Sequence, residues 1–213
     1  YLREGSCLPW LAGGDRRPGL RAVLPTAGAL RQPWGEVATA WYAYSSRQSN
    51  NVGDLGTLEA TRRRLSELVR AEVARLGGDA RRVFLGGLSQ GCTAALDVYL
   101  RLAPELGLGG FVGSVGFLPE DSTGFPGASS ALEALIAHGA QAWRPVWLQC
   151  AVDDCKDVPW AGLVEPAVRR AHERCPGMKV RLVAGRGHCI GDWEVHILND
   201  FVREFAGDGP GGR

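Results

Sequence analysis

The stretch Arg82-Val83-Phe84-Leu85-Gly86-Gly87-Leu88-Ser89-Gln90-Gly91-Cys92 joins a β-branched and aromatic run to Gly87-x-Ser89-x-Gly91 and then to small, helix-forming residues. A serine between a strand and a helix, with glycines two places to either side, has the pattern of a nucleophile elbow. The glycines let strand and helix approach closely around a sharp turn, which presents the hydroxyl outward. The helix start beneath it offers backbone N–H groups and a positive dipole end to a developing oxyanion. The pattern is short and recurs by chance, so its weight comes from the strand before it and the helix after it.

Working outward, 213 residues of which 45% are hydrophobic can bury one sizeable core, and one domain is the default. A formal charge of +1, from 24 basic and 23 acidic residues, gives no global field to recruit nucleic acid or an anionic membrane. The one tight basic run, Arg62-Arg63-Arg64, sits beside Glu59 and Glu67 on what reads as the solvated face of a helix. Six cysteines (Cys7, Cys92, Cys150, Cys155, Cys175, Cys189) form no CxxC pair, which favours reduced thiols and a cytoplasmic setting. No apolar run is long enough to span a bilayer, so no stable membrane insertion is expected. Because the chain opens on Tyr1, a missing N-terminal piece is expected, and any targeting signal would have gone with it.

Residues 1–19 read as an irregular N-terminal segment, 20–206 as an α/β domain and 207–213 as a disordered glycine-rich tail. Leu20 to Pro25 reads as a short buried strand. A long aromatic-bearing loop follows through Trp34, Trp41, Tyr42 and Tyr44, whose rings either wall an apolar pocket or cap the core. Leu58, Leu65, Leu68, Val69, Val73 and Leu76 mark an amphipathic helix over 57–76, ended by Gly77-Gly78. Strand 83–86 delivers Ser89, and the next helix is expected to stop at Pro104. Strands at 111–117, 146–152 and 179–183 alternate with helices at 131–142, 163–175 and 193–205. That alternation implies a mostly parallel sheet covered on both faces, with functional residues at the carboxyl ends of its strands. Ser89, the Asp153-Asp154 pair and His188 all fall just after predicted strands.

Serine needs a base to take its proton, and the base works best when a carboxylate fixes its tautomer. The order Ser89, then Asp, then His188 is that of the α/β-hydrolases. Among four histidines only His188 lies in a glycine-flanked loop after a strand, whereas His138, His172 and His196 fall on predicted helices. No histidine has metal-ligand spacing, so neither a metal nor another cofactor is expected.

Taken together, Arg21 to Ala27, Ala40-Trp41-Tyr42, Val83 to Gly91, Gly116-Phe117-Leu118-Pro119, Val158-Pro159 and Gly187-His188 resemble, in this order, the acyl-protein thioesterase/carboxylesterase family, also called the phospholipase/carboxylesterase group. The resemblance runs from about Leu20 to Phe205. It implies a cytosolic α/β-hydrolase that cleaves acyl thioesters or carboxylic esters, with acylated proteins, lysophospholipids or small esters as partners. By position it makes Ser89 the nucleophile, His188 the base and the Gln90 backbone N–H one oxyanion donor. In the hydrolase reading, Trp41 and neighbouring apolar residues are expected to contact the acyl chain.

The chain departs from the family pattern twice. Cys155 stands where the family's acid normally precedes the Val-Pro pair, so Asp154 is chosen as the acid, with Asp157 and Asp153 behind it. Nothing in residues 1–19 matches the family's first strand and His-Gly-x-Gly-Asp-like loop, so the sheet is expected to lack its N-terminal strand and the second oxyanion donor. These departures motivate a rival reading: an impaired pseudoenzyme that binds acyl chains or a protein partner without turnover.

Overall fold

A computed structural model describes residues 20–119, 129–154, 158–185, 187–188 and 192–205, in two compact units. In the first unit, residues 20–26 carry no strand and are mostly exposed, Leu24 at 62%. The buried strand expected at Leu20 to Pro25 is therefore not formed. Its apolar run is too short for periodicity to separate a strand from an irregular segment, and Pro25 has no N–H to give to a ladder.

The second unit, Ala27–Cys189, begins with two hairpins where a long loop was expected. Strand β1 (Gly28–Arg31) pairs antiparallel with β2 (Val37–Ala40). A turn closes this hairpin, with Gln32 N–H donating to Glu36 O at 2.7 Å. Then β3 (Tyr44–Ser46) pairs with β4 (Ser49–Val52) in an irregular register. Such three- and four-residue strands, rich in Ser, Thr and Asn, lack the apolar alternation that announces a strand. The buried Gln32 ties the hairpins together by accepting the Tyr44 N–H at 3.0 Å.

Helix α1 (Leu55–Arg75) starts at Asp54, whose side chain accepts the Gly56 N–H at 2.8 Å. It buries Leu58, Leu65 and Val69, as its periodicity requires. The arginine run is not uniformly solvated. Arg62 reaches α2 (Gln90–Leu106) to bind the fully buried Asp97 through Nε at 2.5 Å and Nη2 at 3.1 Å. Burial alone would lower the Arg62 guanidinium's pKa, but Asp97 and Glu59 outweigh it and the net direction is upward.

Four parallel strands follow in spatial order: β5 (Phe84–Leu88), β6 (Gly110–Ser114), β7 (Val146–Ala151) and β8 (Met178–Val183). Their connections carry α2, α3 (Ser130–Ala137) and α4 (Glu165–Arg174), so this is a wound α/β sheet of the α/β-hydrolase type. Every residue of β6 is buried, as an inner strand between β5 and β7 must be. Pro104 does not stop α2, which runs two residues further to a left-handed Gly107 cap (φ 73°). In the last turn a proline removes a single intrahelical bond, and Gly107 is the real stop signal.

A small apolar cavity lies between α2, α3, α4 and the sheet, lined by residues including Leu96, Leu100, Phe117, Leu132 and Leu148. None of Trp34, Trp41, Tyr42 or Tyr44 lines it. Tyr42 instead caps the core and is fully buried. In the first unit α5 (Asp192–Phe205) buries Ile197, Phe201 and Val202, the apolar face read from its spacing. Among the described residues no helix is long and apolar enough to cross a membrane.

Candidate active site

The elbow follows from the residues on either side of Ser89. At Gly87 a side-chain carbon would come within 2.3 Å of the Gly91 carbonyl oxygen, so the incoming strand and outgoing helix meet closely only because this position is bare. Ser89 is forced to φ 52°, ψ −125°, outside the ordinary wells for a side-chain-bearing residue. Two backbone bonds hold it there. Its N–H donates to Ser114 O at 2.9 Å at the end of β6, and its carbonyl accepts the Thr93 N–H at 3.1 Å.

Asp154 lies three residues past the end of β7, and His188 lies in the loop after β8. These carboxyl ends meet Ser89 at one place. Ser89 Oγ is 2.7 Å from His188 Nε2, and His188 Nδ1 is 2.8 Å from Asp154 Oδ2. The Asp154 side chain is 3% exposed and that of His188 17%, so the carboxylate is shielded while the imidazole keeps access to solvent. Asp154 Oδ2 also accepts the Val158 N–H at 3.0 Å, and the Asp154 carbonyl accepts the Trp160 N–H at 3.0 Å. The Val158-Pro159 pair thus orients the carboxylate it follows.

Of the three acid candidates, Asp154 faces the imidazole. Its neighbour Asp153 contacts the main chain of the same loop, accepting the N–H groups of Gly185 and Gly187 at 2.8 and 3.1 Å. Asp157 and Cys155 lie outside the described residues. Gln90 is the first residue of α2, where backbone N–H groups have no intrahelical acceptor. Trp41 is anchored nearby. Its N–H donates to Gln90 Oε1 at 2.8 Å, its carbonyl accepts from the Thr61 hydroxyl, and Arg64 lies over its ring 5.3 Å from the centroid. The front loop expected in residues 1–19 lies outside the described residues.

Two contributors were not read from the sequence: the Asp153 contacts to the His188 loop and the Gln90 side chain, which also donates to Tyr42 O at 2.9 Å. The doubled aspartate after a strand was a signal for the first, whereas nothing local announces the second. Under the elbow, Cys92 is buried, and its surroundings, with Cys150 adding, push its thiol pKa well up. That makes it an inert packing residue. Among the described residues no group of three or more His, Cys, Asp or Glu side chains could hold a metal ion.

Solved structures of similar fold include a variant of SOBER1 from Arabidopsis thaliana, 19% identical with a TM-score of 0.70, the match covering 93% of this chain and 91% of that one. Acyl-protein thioesterase 2 of Zea mays is 19% identical with a TM-score of 0.63, over 86% of this chain and 80% of that one. A phospholipase/carboxylesterase of Dyadobacter fermentans is 18% identical with a TM-score of 0.51, over 78% and 70%. At these identities the likeness is one of fold. No curated protein matches the chain in sequence. The phospholipase/carboxylesterase family model matches residues 21–141, more than half of the chain, from before the first hairpin through the elbow to α3. By that match the chain belongs to the phospholipase/carboxylesterase family of α/β-hydrolases.

Proposed function

We propose that this chain is a cytoplasmic serine hydrolase that cleaves carboxylic esters or acyl thioesters through an acyl-enzyme. The observation that carries this reading is the unbroken line from Ser89 Oγ through the His188 ring to Asp154 Oδ2, at 2.7 and 2.8 Å. His188 Nε2 takes the Ser89 proton as Oγ attacks the acyl carbon. Asp154 holds the tautomer that leaves Nε2 free to accept, and stabilises the imidazolium that forms. The Gln90 N–H at the start of α2 donates to the tetrahedral oxyanion. His188 then protonates the departing thiolate or alkoxide. A water activated by the same nitrogen splits the Ser89 ester, releasing the carboxylic acid and restoring the serine.

Trp41, pinned beside the oxyanion residue, is assigned to the acyl chain, and the substrates are acylated proteins, lysophospholipids or small esters. An acid, base and nucleophile in hydrogen-bonding register support turnover over acyl binding alone. A fluorophosphonate probe tests the reading, because it reacts only with an activated serine. The wild-type protein is expected to be labelled and Ser89→Ala to stay unlabelled. A folded wild-type protein that resists the probe refutes it.

A further inference from the structure

We propose that Asp153 is a positioning residue for His188, holding the loop's backbone while Asp154 holds the ring. The inference rests on the serine-hydrolase reading above. His188 sits in a segment whose glycines take left-handed conformations, φ 86° at Gly185 and 56° at Gly187. Glycine reaches these angles freely and leaves them as freely, so the sequence alone gives the loop no reason to keep one shape. The restraint comes from outside the loop. A single oxygen, Asp153 Oδ2, accepts the N–H of Gly185 at 2.8 Å and of Gly187 at 3.1 Å, and Gly187 immediately precedes His188. Hydrogen bonds from N–H groups to a carboxylate are shorter and roughly twice as strong as neutral ones.

Asp153 is itself fixed by the sheet. Val152 N–H donates to Val183 O at 2.9 Å, which continues the β7–β8 pairing up to the residue before it. The two neighbouring aspartates therefore divide the work: one transmits the position of β7 to the His188 main chain, the other to its ring. Displacing Nε2 by about 1 Å costs on the order of 100-fold in rate, because attack requires aligned reacting atoms.

The two oxygens of a carboxylate are not both needed for this role, since one acceptor atom receives both N–H groups. An asparagine carbonyl can replace it. The test measures kcat and KM for hydrolysis of a short-chain p-nitrophenyl ester by the full chain and by Asp153→Ala, Asp153→Asn and Asp154→Asn. Asp153→Ala is expected to lose about 10- to 100-fold in kcat with KM within about twofold of wild type. Asp153→Asn is expected to stay within about threefold of wild type in both parameters. Asp154→Asn is expected to fall by about 10⁴ in kcat.

A fully active Asp153→Ala overturns the proposal, as does a loss confined to KM. So does an Asp153→Asn as impaired as Asp154→Asn, which would make the charge and not the acceptor geometry essential. Should the Ala variant not fold, Asp153→Ser, whose hydroxyl is too short to receive both N–H groups, replaces it, with the same loss in kcat expected and full activity overturning the proposal. A wild-type protein with no turnover and no fluorophosphonate labelling instead overturns the hydrolase reading, so the two failures are distinguishable.

Discussion

Gln90 and Trp41, 49 residues apart in sequence, are joined by a 2.8 Å hydrogen bond from the Trp41 N–H to the Gln90 side-chain oxygen. The other half of the same amide donates to Tyr42 O at 2.9 Å, so one side chain ties the start of α2 to the segment between the two hairpins. The residue proposed as an oxyanion donor is thereby fixed from outside its own helix.

Gln90→Ala leaves the Trp41 N–H and the Tyr42 carbonyl unpaired against a buried tyrosine. The expected loss of stability is about 1 to 3 kcal/mol per stranded group at most. Gln90→Glu is expected to be worse for activity, because its second oxygen faces the Tyr42 carbonyl and repels it. Urea unfolding midpoints for the two variants, with ester turnover measured alongside, check both statements.

The acid assignment is tested within one short segment. Asp154→Asn is expected to lower kcat by about 10⁴, whereas Cys155→Ala and Asp157→Asn should keep wild-type turnover within a few-fold. A severe loss in Asp157→Asn with Asp154→Asn spared would move the acid to the position that sequence reading ranked second.

The Arg62–Asp97 pair predicts a stability effect far from the chemistry. Asp97 is fully buried and also receives Arg101 Nε at 3.3 Å, so Asp97→Ala takes one carboxylate away from two guanidinium groups. Removing one side of a buried pair costs about 3 to 5 kcal/mol. Replacing Arg62 and Asp97 together by apolar residues should recover much of that loss. A double-mutant cycle in urea reads the coupling, and additive single losses would contradict it.

Alkaline pH should weaken the fold. Burial pushes the Cys150 thiol up to about 12 and the Tyr99 hydroxyl up to about 12, and it also raises Cys92 and Tyr42. In the unfolded chain these groups ionise near their ordinary values of about 8.5 and 10. The unfolded state therefore releases protons first. Stability is full below about pH 8.5 and is lost as pH climbs toward 12. Urea midpoints at pH 7 and pH 10.5 should differ, the second being lower. At pH 8, iodoacetamide should spare Cys92 and Cys150 until denaturant is added.

The sheet and its helices were readable because their signals are local and repeated. The apolar spacing in α1, the Gly-x-Ser-x-Gly turn and the strand-helix alternation each occupy one contiguous stretch. The hairpins were not, since Val37–Ala40 and Tyr44–Ser46 are too short to show a period and owe their pairing to each other's backbone. Arg62 was misread for a related reason. Its charge suggested water, and the partner that draws it inward lies 35 positions away on another helix. At the site, Ser89 and His188 stood out by type and context, and Asp154 was separable from Asp153 only by direction. Consecutive carboxylates look alike in a sequence; which one faces the ring is decided by how the chain turns after β7.

Ser89 and His188 are separated by 99 positions, with β6, β7 and β8 between them. During synthesis, the proposed nucleophile therefore emerges well before the residue assigned to take its proton. Without a base beside it, a serine hydroxyl is a weak nucleophile. On the proposed reading, the serine has its base only where β8 is paired with β7 and His188 Nε2 lies 2.7 Å from Oγ. The proposed pairing of Ser89 with His188 is thus a property of the assembled sheet and not of the elbow alone.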